Sequence, residues 1–172
     1  MKKIKSIKGI LLGLLGLGLL IGLDQLVKYW VYHDLRTIGR INLIPGVLCF
    51  AYASNDGAAW GMLSGARILN LLPIVIALIL IYGYVCVPES KRFLPLNICM
   101  VVLTAGAIGN RIDRSVYGKV QDFIYFELID FPVFNVADCY IVVSCIVMAL
   151  LLLFYYKDEN EFKGMFTPWK KD

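Results

Sequence analysis

Four long apolar runs divide this chain, and the charged residues collect in the gaps between them. The first run extends from Ile7 to about Tyr29 and is rich in Leu and Gly as far as Asp24. The second covers 68–87, the third 93–112 and the fourth 136–156. Each is close to the roughly 20 residues an α-helix needs to cross the hydrocarbon core of a bilayer. The pattern therefore predicts an α-helical integral membrane protein with four transmembrane helices. Between the runs, 31–67 and 113–135 behave differently. Ile41 to Tyr52 mixes β-branched and aromatic residues around Pro45-Gly46, and Val120 to Ile129 has the same character, so both predict short strands. Open strand edges cannot sit in hydrocarbon, which puts this small β-sheet in the outer connections, at or above the membrane surface.

Composition agrees with that reading. Of 172 residues, 59% are hydrophobic and 17% charged, against about 45–50% and about 25% in soluble domains. With no linker, repeat or low-complexity tract, residues 1–172 are expected to form a single membrane-embedded domain. The net charge of +4 matters less than its placement. The N-terminus, the 88–92 gap and the C-terminal tail carry ten of the seventeen basic residues. By the positive-inside rule both termini are cytoplasmic and the 31–67 and 113–135 connections face outward. No basic face for nucleic acid emerges from this distribution. Basic residues before the first run suggest a cleaved signal peptide, but no small-residue cleavage site follows, and that run is expected to remain as the first helix.

Five cysteines without a CxxC pair, and His33 as the sole histidine, offer no tetrahedral metal site. Cys139 as a thiol nucleophile lacks a nearby His base. The carboxylates are more telling. Asp24, Asp113, Asp122 and Asp138 all map to the outer helix ends or the connections there, and Asn55, Asn110, Arg114 and Asn135 gather at the same level. Ionisable groups beside a span are costly and mark functional candidates. Asp24 and Lys28, four apart on one helix face, read first as a helix-end ion pair. Asp113 reads first as a cap or orienting group, and Gly57 as a tight turn. For Asp122 and Asp138, charge placement alone leaves helix capping and catalysis equally open.

Five motifs then align in order along the chain: Asp24-Gln25 with Lys28; Asn55-Asp56-Gly57-Ala58-Ala59-Trp60-Gly61; Gly109-Asn110-Arg111-Ile112-Asp113-Arg114; Val120-Gln121-Asp122-Phe123; and Phe134-Asn135-Val136-Ala137-Asp138. Together they resemble the lipoprotein signal peptidase (signal peptidase II) family, with Trp60 standing where Phe is more familiar. The resemblance implies a membrane aspartyl endopeptidase that needs no metal or cofactor. It would cleave prolipoproteins just before a diacylglyceryl-modified cysteine. Asp122 and Asp138 would be catalytic; Asp24, Lys28, Asn55, Gly57, Asn110, Asp113, Arg114, Asn135 and Ala137 would bind substrate or support the site. It further implies a bacterial cytoplasmic (inner) membrane location, with lipid-modified precursors and membrane lipids as partners; the charge placement puts the active site at the outer face, and a monomer is expected. The alternative is a non-enzymatic four-helix channel or transporter subunit, which should place polar groups near mid-membrane. A presenilin-like protease would carry a GxGD signature, which this chain lacks.

Overall fold

The computed structural model describes residues 5–57, 68–157 and 159–162. Residues 58–61 of the second motif, with Trp60, lie outside that range, as do Lys2, Lys3, Lys163, Lys170 and Lys171. Four principal helices follow one another: α1 (Ile7–Trp30), α2 (Ile68–Cys86), α3 (Leu94–Val116) and α4 (Val136–Leu150). Among the described residues three helical stretches, Ile7–Ile38, Leu94–Val116 and Val136–Tyr155, are long and apolar enough to cross a membrane, and Leu71–Cys86 is a shorter apolar helix.

Two helices run further than their hydrophobic runs foretold. α1 continues through a π-type turn, Val31–Leu35, and an α-turn, Arg36–Ile38, where the sequence suggested an outer connection from residue 31. The reason is packing: Val31 and Leu35 on this extension form a buried cluster with Phe123, flanked by Trp30, Ile41 and Phe50. Likewise α3 runs to Val116, so Asp113 and Arg114 are helical, not part of the connection expected over 113–135. Only at Gly118, with φ of 73°, does the backbone turn away.

The predicted strands appear as β1 (Arg40–Ile44), β2 (Leu48–Asn55) and β3 (Val120–Phe126), an antiparallel sheet in the order β1-β2-β3. Gly46, at φ of 73°, makes the β1–β2 turn. Glu127–Ile129 leaves the sheet as a 3₁₀ turn, which corrects the strand character expected as far as Ile129.

α3 is the central element and packs against the other three helices. Its apolar stretch is mostly buried, whereas those of α1 and α4 are mostly exposed. In lipid no hydrophobic force drives helices together, so close backbone approach through small residues matters. A Cβ on Gly106 would lie 2.6 Å from the carbonyl oxygen of Ala137, so α3 and α4 meet nearly backbone to backbone.

The end opposite the sheet joins both ends of the described chain to the 88–92 turn. Ser6 caps α1 by accepting from Gly9 N–H, and its own hydroxyl donates to Glu89 at 2.6 Å. Arg92 donates to Tyr155 O at 2.6 Å and pairs with Glu161 at 2.9 Å. Phe93 stacks on Tyr156 with centroids 5.3 Å apart. Lys5 and Lys8, the basic 88–92 turn and the end of α4 thus share one end of the bundle.

Candidate active site

Asp122 sits on β3, one residue before Phe123. Strand alternation sends Phe123 to the cluster on the α1 extension and Asp122 to the opposite side. The β2–β3 register pairs Ala53 with Asp122 and Asn55 with Val120, so Asn55 is the diagonal neighbour of Asp122. Its Nδ2 donates to Asp122 Oδ2 at 2.9 Å. Gly57 N–H donates to Asn55 Oδ1 at 2.9 Å and so fixes which end of that amide faces the acid.

Asp138 lies in the first turn of α4. Asn135 is the N-cap and the two form a reciprocal capping box: Asp138 N–H donates to Asn135 Oδ1 at 3.1 Å, and Asn135 N–H donates to Asp138 Oδ2 at 3.0 Å. Ahead of the cap, Phe134 is tied to β3, its carbonyl accepting from Phe123 and Ile124 N–H and its N–H donating to Ile124 O. That bridge brings Asn135 beside Asp122, and Asn135 Nδ2 donates to Asp122 Oδ1 at 2.6 Å. One asparagine therefore holds both carboxyl groups.

Behind the pair lies a buried polar cluster. Lys28 Nζ is 3.0 Å from Asp24 Oδ2, 3.1 Å from Asp113 Oδ2 and 3.0 Å from Asn110 Oδ1. Asn110 Nδ2 donates to Asp138 Oδ1 at 2.7 Å, and Asn110 Oδ1 also accepts from Asn135 Nδ2 at 3.2 Å. The ion pair read from the Asp24–Lys28 spacing is present, but it is shared with Asp113 and wholly buried.

A cavity of about 440 Å³ opens over the two acids. Asp122, Asp138, Asn55, Gly57, Asn110 and Arg114 form its polar side; Val120, Phe131–Phe134, Cys139, Val142 and Val143 form an apolar wall. Arg114 Nη2 donates to Gly57 O at 3.1 Å, while its buried Nε has no hydrogen-bond partner among the described residues. Burial, then the charge of Asp138, pushes the Asp122 carboxyl up to about 6, against the pull of its asparagine partners. Two close carboxyls, one of them reluctant to ionise, can hold one proton between them and handle a water. Among the described residues no group of three His, Cys, Asp or Glu side chains is arranged to hold a metal ion.

The eleven candidates thus divide by position. Asp122, Asp138, Asn55, Gly57, Asn110 and Arg114 face the cavity, with Asn135 bonded to both acids. Asp24, Lys28 and Asp113 lie behind it, and buried Ala137 packs against Gly106 and Gly109. Sequence reasoning did not single out Gln25, whose Nε2 donates to Asp24, Gly109 O and Asp113, or Gln121, whose N–H donates to Asp113 Oδ2. It also missed Val142 and Val143, although their i+4 spacing from Asp138 and Cys139 puts them on the same helix face.

Residues 17–154 match the sequence model of the family described as signal peptidase (SPase) II. The chain is similar to the lipoprotein signal peptidase of Streptococcus thermophilus, 39% identical over 145 residues, covering 82% of this chain and 90% of that protein. It is also similar to the lipoprotein signal peptidase of Latilactobacillus sakei subsp. sakei, 38% identical over 141 residues and covering 81% and 92%. Two solved structures of bacterial membrane enzymes, determined by the in meso method, superpose with TM-scores of 0.77 and 0.74 at 31% identity. They match 92% and 90% of this chain and 97% and 99% of their own.

Proposed function

Because this chain belongs to the signal peptidase II family, we infer that it is a bacterial membrane peptidase that removes the signal peptide from lipoprotein precursors. The finer reading is an aspartyl endopeptidase whose catalytic pair is Asp122 and Asp138. It acts on precursors already carrying diacylglyceryl on a cysteine and cuts on the N-terminal side of that cysteine. The observation that carries this reading is the joint tether: Asn135 bonds Asp122 Oδ1 through its side chain and Asp138 Oδ2 through its backbone, over one cavity.

The chemistry follows from one shared proton. The ionised acid takes a proton from water as the water oxygen bonds to the scissile carbonyl carbon, and the protonated acid gives its proton to the carbonyl oxygen. Collapse of the resulting gem-diol returns a proton to the amide nitrogen, the C–N bond breaks, and the pair regains its starting proton. The apolar wall from Phe131 to Val143 lowers the local dielectric and offers lipid-compatible surface beside the acids.

We read Ile68–Cys86 as the remaining crossing. Its 19 residues span about 28 Å at 1.5 Å per residue, near the roughly 30 Å hydrocarbon thickness. Both termini then face the cytoplasm and the acids face outward, which the basic residues at the 88–92 end support. The enzyme is taken to act as a monomer on its lipid-modified substrates. A channel or transporter subunit is not favoured, since the buried carboxyl groups of Asp24, Asp113 and Asp122 collect at the sheet end of the bundle rather than along a path.

Asp122→Asn and Asp138→Asn, each in liposomes with a diacylglyceryl-modified precursor, test the pair. Cleavage should fall by about 10²–10⁴-fold in each, with membrane insertion retained. Full cleavage by either variant defeats the assignment.

A further inference from the structure

An ordinary helix-end ion pair would ask Lys28 to meet Asp24 and nothing more. Instead the three protons of its buried ammonium meet three different acceptors: Asp24 Oδ2, Asp113 Oδ2 and the uncharged Asn110 Oδ1. The third contact has a directional consequence. An ammonium can only donate, so it must face the oxygen of the Asn110 amide, and the Asn135 Nδ2 donor on that same oxygen enforces the choice. The Asn110 Nδ2 end is then turned to Asp138 Oδ1, 2.7 Å away. Asp138 Oδ2 already receives Asn135 N–H at the start of α4. Both Asp138 oxygens therefore accept, in a place where the helix dipole also favours negative charge.

We propose that Lys28 is a positioning residue which, through the Asn110 amide, holds Asp138 as the carboxylate that takes the proton from water and leaves the proton of the pair on Asp122. The proposal rests on the reading of these two acids as the catalytic pair. Asp122 also accepts two amide donors, from Asn135 and Asn55. It differs in lying on a buried strand and in receiving side-chain amides only, with no backbone N–H of the α4 terminus on either oxygen, and its carboxyl is pushed up to about 6 by that burial and by Asp138. Arg114 from α3 and Asp122 from β3 act on Asp138 directly, and behind Asn110 stand Lys28 and Asp24 from α1 and Asp113 from α3. Of the two cations, Arg114 is bonded to Gly57 O, whereas Lys28 reaches Asp138 by the two-bond relay. Asp24, Asp113 and Gln25 keep the ammonium in place. In the reaction, Asp138 receives the proton of water and later passes it to the amide nitrogen; Asp122 protonates the carbonyl oxygen and recovers a proton from the gem-diol.

Removing Lys28 alone would strand two buried carboxylates, so the test uses the neutral triple variant Asp24→Asn, Lys28→Met, Asp113→Asn, and separately Asn110→Ala, which leaves the ion pairs intact. In each, kcat for a diacylglyceryl-modified precursor should fall at least tenfold with KM unchanged, and in Asn110→Ala, which alters no charge, the acidic limb of kcat/KM should move to higher pH. Combined, the two sets should cost little more than either alone, because they cut one relay. Unchanged kcat and pH profile in a folded Asn110→Ala protein, or fully additive losses, would overturn the relay. If instead Asp138→Asn cleaves normally, the catalytic pair itself is wrong, which separates that failure from this one.

Discussion

A methyl group on Gly109 would stand 2.5 Å from Asp24 Oδ2, so α1 and α3 touch at a point where only a hydrogen fits. Asp24 is fully buried there, and Gln25 Nε2 donates to Gly109 O across the same contact. Gly109→Ala should separate the helices and stretch the Lys28 cluster, at a cost of about 1–3 kcal/mol. Thermal unfolding in detergent, followed by tryptophan fluorescence, checks this; a melting temperature equal to that of the parent protein contradicts it.

Asn135 combines a helix cap with a double tether. Asn135→Ala should cost about 1 kcal/mol of stability as a lost N-cap. Activity should suffer far more, about 100-fold, because both acids lose a fixed partner and small misplacements of reacting groups are expensive. Comparing melting temperature with cleavage rate separates the two effects.

The pH profile follows from Asp122. If its carboxyl, raised to about 6, holds the proton of the proposed pair, kcat/KM should decline as pH climbs through that region and the proton is lost. The Asn55 hydrogen bond pulls the value down, so Asn55→Leu should move this alkaline limb to higher pH. An unmoved limb would rule out Asp122 as its source.

Stability has the matching sign. A carboxyl whose folded value exceeds its unfolded value contributes fully below the unfolded value of 3.8 and loses that contribution as pH rises through about 6. The melting temperature of Asp122→Asn relative to the parent should therefore improve between pH 4 and 7. A difference that stays flat over this range speaks against the raised carboxyl.

Cys139 lines the cavity next to Asp138, whereas Cys49 and Cys99 are buried and Cys145 is exposed on the apolar part of α4. A membrane-permeant maleimide should block cleavage by filling the cavity, and Cys139→Ala should keep activity and escape the block. Equal inhibition of both proteins would place the sensitive thiol elsewhere.

Much of this molecule was legible along the chain. Uncharged runs of membrane length give the helices, because a bilayer demands internally satisfied backbone over a set distance and that demand is local. The Pro45-Gly46 turn and its β-branched flanks foretold the hairpin, and the motif around Asn135 and Asp138 is itself a capping box four residues long. The length of α1 was not legible, since polarity after Tyr29 looks like a loop until Val31 and Leu35 find Phe123. Nor was the sharing of Lys28, for an i,i+4 neighbour hides partners 82 and 85 positions away.

Local pattern alone gave away the long apolar helices and the polar residues at the sheet end, since both depend on neighbours within a few positions. Packing of distant segments settled that Asp122 and Asp138 share Asn135, that Asn110 turns its nitrogen toward Asp138, and that Val142 and Val143 wall the cavity. Those outcomes depend on how closely α3 approaches α1 and α4 at Gly109 and Gly106. Backbone distance between distant segments is set by mutual packing, which no local pattern encodes.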